Sequence, residues 1–375
     1  MPHDNSVFHQ MTKLIDWSVF ARLVDTYSGD YRVRRLRMKD QFLALLYGQF
    51  SGSKSLREIT QGLESHSPGL YHLGLRNVKR SSLCDANARR PCQVYHDLFQ
   101  HFLASLTTAG RRGLKDVTRI ALPASTQSWA KASKDKPAIK LHIVFEPEQE
   151  LPLLASMTST LVNDITVARA IDLEPGATYL FDLAYYSFDW WAKMHDLGCR
   201  FVTRLKHNTR LEMVETLPCP EDTNILFDGI ARLSKRAGKR SKNPMRAPIR
   251  MIKIKLETGK VITLASNDIH SPAEVITDLY KTRWQIELFF KWIKQNLKIK
   301  HFLGTSPNAV WTQILVALIA YILITKLKKV AAIKQSKTTI ARIVRVHIMN
   351  KRPIDQIFKP PKSPDRSSGE QYELI

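Results

Sequence analysis

Hydrophobic residues recur at helical spacing through the first third of the chain, in the segments FARLVDTY, DQFLALLYGQF and VYHDLFQHFLASL. The breaks between these segments, SGD and SGSKS, contain the Gly and Ser residues that favour turns. We therefore predict that residues 1–107 form an N-terminal all-helical domain.

After about residue 113 the hydrophobic residues alternate with a period of two, as in AIKLHIVFE, which predicts a strand. The strand-like segments LPLLASMTS, TYLFD and CRFVTRLK follow, interleaved with the helical patterns VNDITVARAIDL and SFDWWAKMHDLG. This order predicts an α/β fold, a mixed sheet flanked by helices, over residues 108–303. Residues 207–268 are basic and strand-like, with a hairpin turn at ETGK, and we interpret them as a β-strand insertion.

A long helix is predicted for SPAEVITDLYKTRWQIELFF, with Ser271 as its cap, Pro272 at its first position and Glu274 completing a capping box. Residues 304–358 are predicted to be a C-terminal helical region and 359–375 a disordered tail. The apolar run ILVALIAYILI is shorter than the roughly twenty residues that span a bilayer, so we predict a buried helix. The N-terminus has no signal-peptide pattern, and we expect a cytoplasmic protein with no membrane partner.

Charge indicates the class of partner. The chain has 375 residues, 57 Lys and Arg against 34 Asp and Glu, a formal net charge of +23 and a pI near 9.9. Such an excess favours a nucleic-acid partner over a merely basic soluble protein. Basic residues cluster in residues 31–39, 76–91 and 231–260, and each cluster is either a DNA-contacting surface or a solvated loop.

One helix, YKTRWQIELFFKWIKQNLK, combines aromatic and basic residues with a single acid, Glu287. At about 100° per residue, Tyr280, Arg283, Glu287 and Lys294 fall within a stripe roughly 60° wide. The adjoining apolar face is predicted to pack on the sheet and consists of Ile286, Phe289, Phe290, Ile293 and Leu297. The simplest interpretation of Glu287 is an ion pair with Arg283 or Lys291, each four residues away.

The spacing of Tyr280, Arg283, Glu287 and Lys294 resembles the Tyr-Arg-Glu-Lys signature of bacterial insertion-sequence transposases, which have an Asp-Asp-Glu active site on an RNase H-like fold. The resemblance extends over residues 10 to 330 and includes the blocks GDYRVRRLRMKDQFLALLYGQFSGSKSLREI, YHLGLRNVKRSSLCDANARRP, AIKLHIVFE, FVTRLKHNT and YKTRWQIELFFKWIKQNLKIKHFLGTS.

The resemblance implies a chemistry and a set of site residues. Such enzymes cut and rejoin phosphodiesters with two divalent metal ions, Mg²⁺ or Mn²⁺, held by carboxylates. Glu287 is then a metal ligand. The residues expected to bind DNA phosphates or backbone are Tyr280, Arg283, Lys294, Lys291, Arg204 and Lys206.

Asp182, at the end of the strand-like segment TYLFD, resembles the second carboxylate of the family. The family pattern places Tyr three residues later, as Tyr185 is here, although Leu183 and Ala184 replace the usual intervening residues. The alternative is an Asp that caps a turn.

The resemblance implies that the first carboxylate is replaced. The family pattern places Asp before Ser and Thr at the end of the first strand, and the segment IALPASTQSW has Ala124 there. Asp116, eight residues upstream, would lie up to about 26 Å from this position in an extended strand, and Glu146 is expected at the far end of the neighbouring strand. With only Asp182 and Glu287 left to hold metal, we expect the chain to bind DNA but to cut it poorly.

The leading hypothesis is an insertion-sequence transposase that acts as a homodimer on double-stranded DNA, binding terminal inverted repeats and joining them to target DNA. The alternative is a non-catalytic, sequence-specific DNA-binding protein derived from a transposase. An RNA-binding protein would leave the spacing of Tyr280, Arg283, Glu287 and Lys294 unexplained.

Overall fold

The structure is a computed structural model that describes residues 6–106, 112–126, 128–130, 137–221, 223–234, 243–297 and 302–359. For residues 112–119 and 124 the description is limited to the backbone.

The N-terminal segment is helical, as predicted. Its central helix, α3, is buried from Met38 to Phe50 except for Lys39, and α4 packs so closely on it that a Cβ added to Gly48 would lie 2.5 Å from Ile59 Cδ1. The helices are α1 (Val7–Thr12), α2 (Trp17–Thr26), α3 (Met38–Ser51), α4 (Leu56–Glu64), α5 (Ser67–Leu70), α6 (Arg80–Arg89) and α7 (Gln93–Leu106).

A single sheet follows, with the strand order β3-β2-β1-β4-β5-β9-β8-β7-β6. β2 is antiparallel to both β1 and β3, whereas β4 and β5 run parallel to β1. The order 3-2-1-4-5 with this polarity is the RNase H-like fold, as expected. The strands are β1 (Arg112–Ala121), β2 (Ala138–Glu146), β3 (Leu151–Ser159), β4 (Thr178–Leu180), β5 (Arg200–Arg204), β6 (Leu211–Leu217), β7 (Ile225–Leu233), β8 (Ile249–Lys255) and β9 (Val261–Ser266).

The segment interpreted as a β insertion extends this sheet, because β9 pairs antiparallel with β5 and β6–β8 continue outward from β9. The predicted hairpin turn joins β8 to β9, where Gly259 has φ +81°. A buried ion pair connects β7 to β8. Two nitrogens of Arg250 each donate to a carboxylate oxygen of Asp228 at 2.6 Å.

Six further helices occur in the described part of the chain: α8 (Asp164–Arg169), α9 (Phe188–Asp196), α10 (Ala273–Thr282), α11 (Trp284–Asn296), α12 (Pro307–Val330) and α13 (Lys337–His347). The predicted long helix is interrupted at Arg283, between α10 and α11. Its predicted cap is also wrong. The hydroxyl of Ser271 donates to Asp268 Oδ2 at 2.7 Å, and the residue preceding α10 is Pro272.

Helix α12 is long and apolar enough to cross a membrane, but 83% of its apolar window is buried inside the fold. It packs against α3, α6, α7 and β3. The prediction of a buried helix is therefore confirmed. Of the predicted tail, residues after 359 lie outside the described part of the chain.

Candidate active site

Strands β4 and β5 bring Asp182 and Arg204 to the same level of the sheet. Leu180 is matched with Val202 in the parallel pairing, and Asp182 and Arg204 each follow by two residues. Asp182 is half-buried, and its Oδ1 accepts a hydrogen bond from the Ala184 N–H at 2.8 Å. The turn-capping role considered for this residue is therefore present, and it engages one of the two carboxylate oxygens.

The same level of the sheet continues into β1. Leu114 pairs with Leu180. Asp116 lies two residues after Leu114, and Asp182 lies two residues after Leu180, so the two positions are at the same level. The pairing of β1 with β4 covers only residues 112–114 of β1, and Ala124 comes ten residues after Leu114, in a 3₁₀ turn at Ala124–Thr126. The position level with Asp182 is thus Asp116 and not Ala124.

The pairing of β1 with β4 does not extend to Ala124, and the assignment of the first carboxylate position to Ala124 stays a prediction. The five residues of β1 from Val117 to Ala121 lie between Asp116 and the turn at Ala124–Thr126. The local sequence relates Asp116 only to Ala124, whereas its level relative to Asp182 depends on the pairing of β1 with β4. The prediction for Glu146 holds, because Phe145 pairs with Leu114 at the opposite end of β1 from Ala124.

Glu287 lies in the first turn of α11, and α11 packs against β1. The predicted apolar face of this helix is buried, and the ring of Phe289 lies 5.0 Å from that of Phe145 on β2. The Arg283 guanidinium donates from Nη2 to Glu287 Oε1 at 2.6 Å. The side chain of Arg283 is only 10% exposed, against 35% for Glu287. Glu287 is therefore reachable from solvent, while its partner is enclosed.

Tyr280 is not part of an exposed polar face, although the helical spacing suggested one. It is 5% exposed, because α10 packs against β5. The guanidinium carbons of Arg204 and Arg283 lie 5.6 and 5.7 Å from the centroid of its ring. Burial raises the pKa of the Tyr280 phenol, and the two positive charges oppose this shift. Tyr280 thus connects β5 to the residue that holds Glu287.

The other expected phosphate-binding residues differ in exposure. Lys206 is exposed two residues beyond β5, with Nζ 4.5 Å from the centroid of the Tyr186 ring. Lys291 is exposed on α11, whereas Lys294 and Arg204 are half-buried. Lys206 and Lys291 are thus the most solvent-exposed of these four side chains.

A model of the transposase DDE domain matches residues 108–323, more than half of the chain. The chain belongs to the DDE transposase family. Enzymes of this family catalyse DNA cleavage and strand transfer. A second match covers residues 3–76 and is described only as a domain of unknown function, DUF4372.

Individual transposases support this assignment. The chain is 36% identical over 289 residues to a protein of Sinorhizobium fredii described as transposase y4zB, covering 74% of this chain and 80% of that protein. It is 27% identical over 254 residues to a Geobacillus stearothermophilus protein described as the transposase of insertion sequence element IS5377, covering 63% and 65%. A piggyBac transposase in a synaptic complex with hairpin DNA aligns with a TM-score of 0.48 at 12% identity, covering 97% of this chain and 87% of that chain, a similarity too low to bear on the function.

DDE transposase domains use divalent metal ions, and the donor chemistry of this site fits that requirement. Asp182 and Glu287 are carboxylates, the oxygen ligands that Mg²⁺ and Mn²⁺ prefer. Each has one oxygen engaged by a hydrogen bond from the protein. Among the side chains that the structure describes, which do not include that of Asp116, no three His, Cys, Asp or Glu side chains form a metal-binding group.

Proposed function

We propose that this transposase binds the terminal inverted repeats of its own insertion sequence and cuts and rejoins them at a site made of Asp116, Asp182 and Glu287. The register that sets Asp116 level with Asp182 carries the proposal. Two observations support the inclusion of Glu287: α11 packs against β1, and contacts through Arg283 and Tyr280 link Glu287 to Arg204 on β5.

Each residue has a role that follows from its position. The three carboxylates would hold Mg²⁺ or Mn²⁺, which supplies an activated water or 3′-hydroxyl and stabilises the leaving oxygen. Lys206, two residues beyond β5, and Lys291, on α11, are exposed and would bind phosphates of the DNA strand. The half-buried Lys294 and Arg204 would add positive charge for the phosphates.

The charge of the chain supports DNA as the partner. A formal charge of +23 predicts binding that weakens steeply with salt, because each neutralised phosphate releases condensed counterions. The basic segments 31–39 and 76–91 of the helical N-terminal region are the proposed contacts to the repeats. We further propose a homodimer, since both ends of an element have to be joined, acting in the cytoplasm on nucleoid DNA.

The alternative is a DNA-binding protein without nuclease activity, and Ala124 favours it if the family pattern, and not the strand register, identifies the first carboxylate. Cleavage of DNA carrying the terminal repeats, in Mg²⁺ and in Mn²⁺, distinguishes the two functions. We expect the natural chain to cut, Asp116→Asn to abolish cleavage while DNA binding remains, and Ala124→Asp to add nothing. Binding without cutting by the natural chain, with cutting gained by Ala124→Asp, would support the alternative.

A further inference from the structure

A buried lysine of the C-terminal region is surrounded by three oxygen acceptors. Lys337, the first residue of α13, is 8% exposed. Its Nζ lies 2.6 Å from Glu150 Oε2 and donates to the Tyr321 hydroxyl at 2.7 Å and to the Glu150 carbonyl at 3.3 Å. An ammonium group has three donors, so these acceptors use all of them and offset the cost of burying the charge.

The same contacts fix the turn between β2 and β3. Glu150 lies in this turn with φ +53°, in the left-handed region that residues other than glycine seldom occupy. Its carbonyl also accepts a hydrogen bond from the Tyr321 hydroxyl at 2.8 Å. Tyr321 and Lys337 therefore hold this turn from two different helices, α12 and α13.

The ring of Tyr321 connects this network to α11. It is 3% exposed, and its centroid lies 4.9 Å from that of Phe289 and 5.0 Å from that of Trp292, both in edge-to-face contact. At about 100° per residue, Phe289 and Trp292 lie about 200° and 140° around α11 from Glu287. Tyr321 thus supports α11 on the side opposite to Glu287.

We propose that Tyr321 and Lys337 are positioning residues for Glu287. This inference rests on the proposed function, in which Glu287 is a metal ligand. Lys337 and Glu150 hold the hydroxyl of Tyr321, the ring of Tyr321 holds the back of α11, and α11 sets the place of Glu287 beside β1. Lys337 lies beyond residue 323, where the match to the transposase DDE domain ends. The proposal therefore assigns part of the active-site scaffold to the C-terminal helical region.

Two measurements on the full chain separate this role from a general contribution to stability. Hydrogen exchange in the absence of metal, followed by mass spectrometry, measures the protection of α11 and, for comparison, of α9, which belongs to a different hydrophobic cluster. The electron paramagnetic resonance signal of free Mn²⁺ in a titration measures metal affinity. A merely structural role would accelerate exchange in both helices alike and leave the Mn²⁺ affinity of the folded chain unchanged.

Tyr321→Phe keeps the ring and removes the hydroxyl. We expect exchange in α11 to become about five- to tenfold faster, as for one lost hydrogen bond, with α9 unchanged. Mn²⁺ affinity should fall by about tenfold, the lower end of the effect of losing an outer-shell partner of a metal ligand. The matched control is Tyr95→Phe, at a buried tyrosine of α7, which should change neither exchange in α11 nor Mn²⁺ affinity.

Lys337→Met removes the charge from the same network and should shift both measurements in the same direction. Its combination with Tyr321→Phe should be no worse than the more affected single variant, because the two residues act as one unit. Lys334→Met, at an exposed lysine just before α13, removes the same charge and should match the natural chain. Glu150→Gln, at a side chain that is 55% exposed, serves if Lys337→Met fails to fold, with a smaller shift expected.

The inference is overturned if Tyr321→Phe and Lys337→Met, or Glu150→Gln in its place, match their controls in Mn²⁺ affinity, or if exchange in α9 and α11 rises alike. Glu287→Gln separates this outcome from failure of the proposed function. If Glu287→Gln abolishes Mn²⁺ binding and Tyr321→Phe does not weaken it, only the positioning role is wrong. If Glu287→Gln leaves Mn²⁺ binding unchanged, Glu287 is no metal ligand, and the proposed function and this inference both fail.

Discussion

Asp182 and Arg204 occupy the same level of the sheet. Leu180 on β4 pairs with Val202 on the parallel strand β5, and Asp182 and Arg204 lie two residues after Leu180 and Val202, respectively. An acid and a cation therefore stand together where β4 and β5 end. This combination suits phosphoryl transfer, in which carboxylates hold metal ions while cations hold the phosphates. A further acidic residue, Asp116 on β1, lies at the same level of the sheet.

The role of Asp182 leads to the first prediction. Asp182→Asn keeps an oxygen that can accept the bond from Ala184 but removes the charge that a divalent cation needs. We expect cleavage of terminal-repeat DNA to fall by about a hundredfold or more, at least the effect that outer-shell partners of metals already have. DNA affinity in EDTA should be unchanged. Asp172→Asn, at an exposed Asp between α8 and β4, is the control, and equal loss in both variants would argue against a metal-binding role.

The sequence was sufficient for local features and for residues identified by a motif. Period-two alternation correctly predicted β2, and helical spacing predicted α3, α9 and the buried face of α11. Asp182 and Glu287 were predicted as site residues because short spacings around them resemble those of a family, and their role as metal ligands stays a prediction. These signals extend over fewer than about twenty residues, the range in which the chain's own geometry dictates which side chains are neighbours.

Features that depend on contacts between distant segments were missed. The level of Asp116 is set by pairing with β4, more than sixty residues later in the chain, and no local pattern encodes that register. Tyr280 lies on the polar stripe by helical geometry, yet packing of α10 on β5 buries it. Ser271 has the sequence of a helix cap, but Asp268 competes for its hydroxyl.

A second prediction concerns contact with the DNA backbone. Lys206 is exposed beyond β5, at the end of the sheet that carries Asp182. Lys206→Gln should weaken binding of all DNA sequences alike and lower the slope of log affinity against log salt by about one, because one phosphate contact is lost. Anisotropy titrations at four or five salt concentrations measure this slope.

The control for Lys206 is Lys359→Gln, since Lys359 already pairs with Asp355 at 2.9 Å in the C-terminal region. It removes the same charge from the chain. If both variants lose the same slope, net charge alone explains the effect, and Lys206 makes no specific contact.

A third prediction concerns the buried ion pair of the sheet extension. Arg250 and Asp228 have side chains that are 8% and 2% exposed, and Arg250 also donates to the Ile269 carbonyl at 2.8 Å. Asp228→Ala leaves a buried, uncompensated guanidinium, and we expect a loss of about 3–5 kcal/mol in the free energy of unfolding. Urea unfolding followed by circular dichroism measures it.

The double variant Asp228→Leu with Arg250→Met should be less destabilised than Asp228→Ala, because no charge remains buried. Lys253→Ala on the same strand is exposed and should change stability by less than about 0.5 kcal/mol. Additive losses in the double variant would mean that the two residues contribute independently and that the ion pair is not the source of the stability.

The last prediction concerns pH. Burial of the His142 imidazole on β2 lowers its pKa to about 4; the positive charge of Lys140 acts in the same direction and Asp164 opposes it. In the unfolded chain a histidine has a pKa near 6.5. As the pH falls below about 6.5, the unfolded state therefore binds a proton that the folded state does not bind. Stability should therefore decrease between about pH 6.5 and pH 4, by up to about 1.4 kcal/mol per pH unit from this group.

The measurement is the difference in unfolding free energy between the natural chain and His142→Gln at several pH values, which removes the contribution of all other groups. The advantage of the natural chain over His142→Gln should shrink as the pH falls. Parallel curves for His142→Gln would mean that the imidazole is protonated as readily in the folded chain as in the unfolded one, and that its hydrogen bond with Thr158 at 2.7 Å does not depend on a neutral ring.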